Sequence, residues 1–285
     1  MRHRTVPALL LLALGLGLAG CADSAIDPET VALAAATPVP LQTIAGVPAE
    51  VFDTADSPND AQLLFIHGGS YVHEASSLHA PFFEKILSAV PATITMPVYA
   101  LAPEHGYQEA YEQMLAVYQE LRRAHPDAPV VLMGGSAGGG FALGFAQHLV
   151  RLGLPQPDRI VLISPWLDLT LQNPRIEAAD RADVLLDRDA LIPNGLAWAH
   201  GDDPADYRLS PINGSLYSLA PVTVLVGTQD LLYPDVQRLQ TAAESAGLDF
   251  DFHVYEGADH AFAMSAGSAG DDARSRIEAL ISGLE

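Results

Sequence analysis

A serine, an acid and a histidine follow one another in an order suited to acyl transfer. Ser136 lies in Gly134-Gly135-Ser136-Ala137-Gly138, a G-x-S-x-G pattern. A serine hydroxyl is a weak nucleophile on its own. A histidine must take its proton and return it to the leaving group. A carboxylate must fix the imidazole tautomer and stabilise the imidazolium. His260 stands in Gly257-Ala258-Asp259-His260-Ala261-Phe262, beyond the last apolar run. Three acids are candidates for its partner. Asp259 adjoins it, and chain neighbours usually point apart, so Asp259 reads as a loop-shaping residue. Asp235 opens a helical stretch, Pro234 to Ala246, where an acid has a structural reason. Asp230 ends the apolar run Val222-Thr223-Val224-Leu225-Val226 and falls between serine and histidine. The tetrahedral oxyanion needs backbone N–H donors on a surface that can approach closely. Gly68 and Gly69, at the end of Leu63-Leu64-Phe65-Ile66, can supply them, with the Ala137 N–H from the serine turn.

Each of these residues must be held by an element. Val130-Val131-Leu132-Met133 reads as a strand, the glycines and serine as a sharp turn, and Phe141 to Val150 as a helix. A phosphate-binding loop would need a lysine after the glycines, and none follows. The full G-x-G-x-x-G match, Gly15 to Gly20, has no strand before it. Gln62–Ile66, Thr93–Val98, Arg159–Ile163, Pro221–Val226 and Phe250–Tyr255 read as further strands. Leu41–Ile44 and Ala49–Phe52 are fainter ones. Pro81 to Val90 and Tyr107 to Arg123 have helical spacing. Between Asp168 and Ser218 the strand pattern stops, broken at Asn173-Pro174, Ile192-Pro193 and Ser210-Pro211. His67 and His105 read as loop braces, and His125, His148 and His200 as surface or packing residues. No His-Glu-x-x-His is present, so no metal or other cofactor is expected.

The formal charge of −21 argues against nucleic acid, whose phosphates would be repelled. Met1-Arg2-His3-Arg4 precedes an apolar run, Val6 to Gly20, too short for the ~20 residues of a spanning helix. It ends Leu18-Ala19-Gly20-Cys21, and Cys21 is the only cysteine. This resembles the lipobox of bacterial lipoproteins. The expected organisation is a signal peptide over 1–20, a lipidated tether over 21–40 and a catalytic domain over 41–285. The resemblance implies a membrane anchor at Cys21 on an extracytoplasmic face, periplasm or cell surface. An ordinary secretory signal, or an uncleaved anchor, is the plainer alternative.

His67-Gly68-Gly69, Leu101-Ala102-Pro103-Glu104-His105, Gly134-Gly135-Ser136-Ala137-Gly138 and Ser164-Pro165-Trp166-Leu167-Asp168-Leu169-Thr170 stand in the order found in one family. Over roughly 60–285 the chain resembles the hormone-sensitive-lipase-like esterases of the α/β-hydrolase superfamily. The resemblance implies an α/β-hydrolase fold, with a mainly parallel sheet of about eight strands and helices on both faces. Residues alone show about six strands. It implies a small helical cap over 168–218, in which Trp198, Leu191, Ile192 and Leu196 either line the acyl pocket or pack the cap. It favours Asp230 over Asp235 as the acid. The implied activity is that of a serine carboxylesterase or small lipase, hydrolysing acyl esters through Ser136, Asp230 and His260. Deacetylase or amidase chemistry on the same fold, or a lipid-anchored binding protein, are alternatives. The oligomeric state is left open. Two departures stand out: Ser70 takes the place of a third glycine, and Asp230-Leu231-Leu232 that of the usual Asp-Pro-Leu.

Overall fold

Apolar runs from along the chain pair into one sheet in the computed structural model, which describes residues 40–284. The signal, tether and Cys21 expectations lie outside these residues. The strands are β1 (Leu41–Ile44), β2 (Val47–Asp53), β3 (Ala61–Ile66), β4 (Ala92–Pro97), β5 (Val130–Gly135), β6 (Arg159–Ile163), β7 (Val222–Gly227) and β8 (Asp251–Tyr255). Their order is β1-β2-β4-β3-β5-β6-β7-β8. The pairings from β4 across to β8 are parallel, and β2 runs antiparallel to both β1 and β4. The eight strands match the number implied by the resemblance. The two that the residues signal most weakly, β1 and β2, form the antiparallel side of the sheet, with β1 as its exposed edge.

The helices are α1 (His79–Leu87), α2 (Tyr107–Ala124), α3 (Ala137–Leu152), α4 (Ile176–Asp180), α5 (Arg188–Ala199), α6 (Tyr233–Ser245) and α7 (Ser268–Ser282). Strand alternation divides the core. On β3, Leu63 and Phe65 pack with Phe83 and Ile86 of α1 and Ile277 of α7. Leu64 and Ile66 face the other way, into the cluster holding Tyr111 of α2, Phe141 of α3 and Leu239 of α6. Central strands buried on both faces read as continuous apolar runs, which is why β3, β5, β6 and β7 stand out in the sequence.

Three elements depart from the sequence expectation. α3 begins at Ala137, well before Phe141, because tertiary packing overrides the weak helix propensity of Gly138-Gly139-Gly140. A Cβ at Gly138 would collide with the Ile66 carbonyl, and one at Gly140 with the Trp166 carbonyl. The glycines let the helix lie directly on the neighbouring backbone. α5 runs through Pro193, which reads as a breaker. Its start is fixed by Asp187, whose side chain accepts from the Ala190 N–H at 3.1 Å, and buried Leu191 and Trp198 hold it past the proline. α7 buries Gly270, Ala273, Ile277 and Ile281, a helical spacing made faint by two very small side chains.

Candidate active site

β5 ends against Ser136, and α3 starts at the next residue. Ser136 has φ 57° and ψ −125°, a backbone state that a residue with a Cβ rarely takes and that costs roughly 1–3 kcal/mol. Hydrogen bonds hold it there. Its N–H donates to the Ile163 carbonyl at 2.9 Å, and its carbonyl accepts from Trp166 N–H at 2.9 Å and Gly139 N–H at 3.0 Å. A Cβ at Gly134 would meet the Gly138 carbonyl, so the two arms of the turn touch.

The loop after β3 lies against this turn. A Cβ on Gly68 would come within 3.0 Å of the Ser136 Cβ. The His67 imidazole is buried and stacks on Tyr99 at 4.4 Å. Burial lowers its pKa to about 4, so at neutral pH it carries one N–H. That hydrogen, on Nδ1, goes to the Gly68 carbonyl at 2.7 Å. In a trans peptide the carbonyl and the next N–H point opposite ways. His67 therefore sets the direction of the Gly69 N–H. No protein acceptor among the described residues takes the N–H of Gly68 or Gly69. Ala137, the first residue of α3, contributes an N–H that has no partner within its helix. Ser70 has φ 55°, so it carries the left-handed state that a third glycine would take without a Cβ penalty.

Asp230, just beyond β7, is fully buried. Its Oδ2 accepts from His260 Nδ1 at 2.9 Å and its Oδ1 from the Leu232 N–H at 2.8 Å. Burial alone would lower the His260 pKa. The charge and hydrogen bond of Asp230 outweigh it, with Asp183 and Asp259 adding to the effect, and the pKa is raised. The two rival acids go elsewhere. Asp259 Oδ1 accepts from the Ala261 N–H at 3.0 Å and braces its own loop. Asp235 accepts from Asn173 Nδ2 at 2.9 Å, and its Oδ2 has no partner among the described residues. Burial, with a smaller contribution from Asp168, pushes Asp235 up to about 6, against the opposing hydrogen bond from Asn173.

Asp183 is the residue that sequence reasoning missed. Its Oδ2 accepts from the Leu231 N–H at 2.7 Å, one residue past Asp230. Its Oδ1 accepts from the N–H groups of Leu185 and Leu186 at 2.7 and 2.9 Å. It thereby ties the α4–α5 segment to the acid loop. An acid two residues before a leucine pair signals a local turn. Nothing in the sequence names Leu231 as its second anchor.

A cavity of about 240 Å³ is lined by Ser136, His260, Gly68, Gly69 and Ser70, with Leu186 on the α4–α5 side. A wider groove of about 870 Å³ lies at Asn173, Arg175 and Arg238 and contains none of the candidate catalytic residues. Trp198 stacks on Tyr71 at 4.6 Å in the core. Leu191 is also buried, Ile192 packs against the same core, and Leu196 is exposed. Of this segment, Leu186 faces the cavity instead. Among the other histidines, His105 pairs with Glu109, His148 with Tyr207 and His253 with Asp251. Among the described residues, no group of three His, Cys, Asp or Glu side chains is arranged to hold a metal ion.

A family model described as alpha/beta hydrolase fold matches residues 63–264. The chain belongs to that family. It is 32% identical over 194 residues to an acetyl-hydrolase of Streptomyces hygroscopicus, spanning 68% of this chain and 65% of that protein. It is also 32% identical over 207 residues to an esterase of Acinetobacter venetianus, spanning 71% of this chain and 68% of that one. Among solved structures, an esterase of the bacterial hormone-sensitive lipase family superposes with a TM-score of 0.80 at 27% identity, covering 86% of this chain and 84% of the other.

Two outcomes follow from the acids. The Asp235 carboxyl is neutral in the fold up to about pH 6, against an ordinary value of 3.8. Its contribution to stability is present at low pH and lost as pH rises through 6. Asp235→Asn is therefore expected to be more stable than wild type at pH 8, on the order of 1–3 kcal/mol, with the gap closing near pH 4 in urea unfolding. A variant less stable at pH 8 would contradict the burial argument. Asp183→Asn removes a negative charge near His260, so the imidazole should titrate at lower pH. Nuclear magnetic resonance of labelled histidine reads this directly, and an unmoved titration would refute the coupling.

Proposed function

We propose that this chain is a serine carboxylesterase or small lipase that hydrolyses acyl esters through a Ser136–His260–Asp230 triad and an acyl-enzyme. The observation that carries this reading is one cavity lined by Ser136, His260, Gly68 and Gly69, with Asp230 accepting from His260 on its buried side. With Nδ1 engaged by Asp230, Nε2 is the nitrogen left to act on Ser136. Ser136 Oγ attacks the ester carbonyl and gives its proton to Nε2. The tetrahedral oxyanion is held by the N–H groups of Gly68, Gly69 and Ala137. The imidazolium then protonates the leaving alcohol, and an acyl-serine remains. Water enters by the reverse sequence, with His260 as base, and frees the acid. Asp230 stabilises each imidazolium without itself taking the proton.

A cavity of about 240 Å³ is below the ~300–1,000 Å³ of sites for drug-sized ligands, which favours a short acyl group. The similarity to an acetyl-hydrolase points the same way. We further propose, from the sequence alone, that residues 1–20 are a lipoprotein signal and that Cys21 carries the lipid that holds the enzyme to a membrane on an extracytoplasmic face. Multiple acyl chains would anchor it stably.

Ser136→Ala is expected to lower kcat by roughly 10⁴–10⁶-fold on short acyl esters and to abolish labelling by a fluorophosphonate. Near-normal turnover by this variant would rule out the mechanism. Replacing Cys21 by Ser should move the protein from the membrane fraction to the soluble fraction and stop incorporation of labelled fatty acid. Unchanged fractionation and labelling would discard the anchor.

A further inference from the structure

The mechanism leaves one buried histidine in the cavity without a task. His79, the first residue of α1, lines the same cavity as Ser136 and His260 and is only 5% exposed. Its Nδ1 lies 2.9 Å from the Ser76 carbonyl, with the Ser76 hydroxyl at 3.3 Å. A carbonyl can only accept, so the hydrogen of the neutral ring sits on Nδ1. Burial also lowers the pKa of this ring, which keeps it neutral at pH 7. Nε2 is then an acceptor and nothing else. Among the described residues no protein donor bonds to it. The aromatic neighbours cannot help: Phe65 lies 5.4 Å and Phe83 6.0 Å away between ring centres. His67, at 6.4 Å, spends its hydrogen on Gly68.

The rest of the wall makes this acceptor selective. Outside the candidate triad and donor glycines, the polar lining residues are Ser70, Glu74, Ser76 and His79, and only His79 is buried. Gly135, beside the serine, leaves space for about one methyl group before ordinary contact. A Cβ there would meet nothing nearer than the Met264 Cε at 3.6 Å. The cavity of about 240 Å³ has room for a small substituent on the ester, and the ring of His79 offers an acceptor to meet it. The Nε2 atom is not fully buried, so a substrate donor can reach it from the cavity, and a matched donor there adds binding that a methyl group cannot supply.

We propose that His79 Nε2 accepts a hydrogen bond from a hydroxyl group on the substrate, so that the preferred esters are short hydroxylated ones. This deepens the esterase reading of the same site and rests on it. The hydroxyl could sit on the acyl or on the alcohol half, and paired substrates separate the two. Nitrophenyl β-hydroxybutyrate is compared with nitrophenyl isovalerate, and hydroxyethyl butyrate with propyl butyrate. In each pair a methyl replaces the hydroxyl at similar size. One pair should favour the hydroxylated ester by roughly tenfold or more in kcat/KM, and His79→Phe should bring that ratio close to one. In wild-type protein with nitrogen-labelled histidine, the hydroxylated product of the preferred pair should shift the His79 Nε2 resonance, while its plain counterpart should not. This second measurement decides the matter if the variant does not fold. Equal rates within both pairs, a ratio that survives in His79→Phe, or an unmoved Nε2 resonance would each overturn the assignment. Failure of wild type to cleave any of the four esters would instead overturn the esterase reading itself, and this inference with it.

Discussion

The left-handed backbone at Ser136 is the constraint on which the site depends. An isolated chain would not stay at φ 57° with a side chain attached. Two hydrogen bonds tie the residue to the adjoining strand and its extension, from its N–H to Ile163 and from Trp166 N–H to its carbonyl. They require β6 to be parallel to β5 and in register, with Gly135 beside Ile163. They also require bare backbone on α3, because the first turn of that helix rests on the Ile66 and Trp166 carbonyls. The sheet order, the glycine run and the strained serine are thus parts of one arrangement. Loss of any would leave the serine without its orientation.

Electrostatics repeat the same economy of parts. His260 is enclosed, and enclosure alone would disfavour its protonated form. Asp230 reverses this through direct contact, while Asp183 adds negative charge from a segment joined to the same loop. The proposed base is therefore suited to holding a proton in transit, as acyl transfer requires. On the opposite side, the neutral His67 uses its single hydrogen to fix a peptide whose next N–H is a proposed oxyanion donor. One histidine is tuned up and another down, each by its surroundings, within one small site.

How much of this the sequence made legible follows from burial and from range. β3, β5, β6 and β7 announce themselves because both of their faces are covered, leaving unbroken apolar runs. Ser136, Gly68 and Gly69 are legible because small residues clustered at the ends of buried strands signal a close approach of backbone. The start of α3 is hidden because its glycines argue against a helix in isolation and make sense only beside Ile66 and Trp166. Asp183 is hidden for a different reason: half of its role lies 48 residues away at Leu231. Its exposed neighbours Val184 and Leu185 give no periodic signal. His79 carries no signal in the sequence, standing two residues before the helical spacing that begins at Pro81, and only the cavity shows what it faces. Trp198 invites a pocket role by its size, yet its stacking on Tyr71 places it in the core.

The most direct test is to trap the acyl-enzyme during turnover of a short ester by acid quench, then locate the acyl group by mass spectrometry of the digested protein. The adduct is expected on the peptide containing Ser136, and only there. An acyl group on another residue, or steady turnover with no covalent adduct, would contradict the assignment of Ser136 as nucleophile.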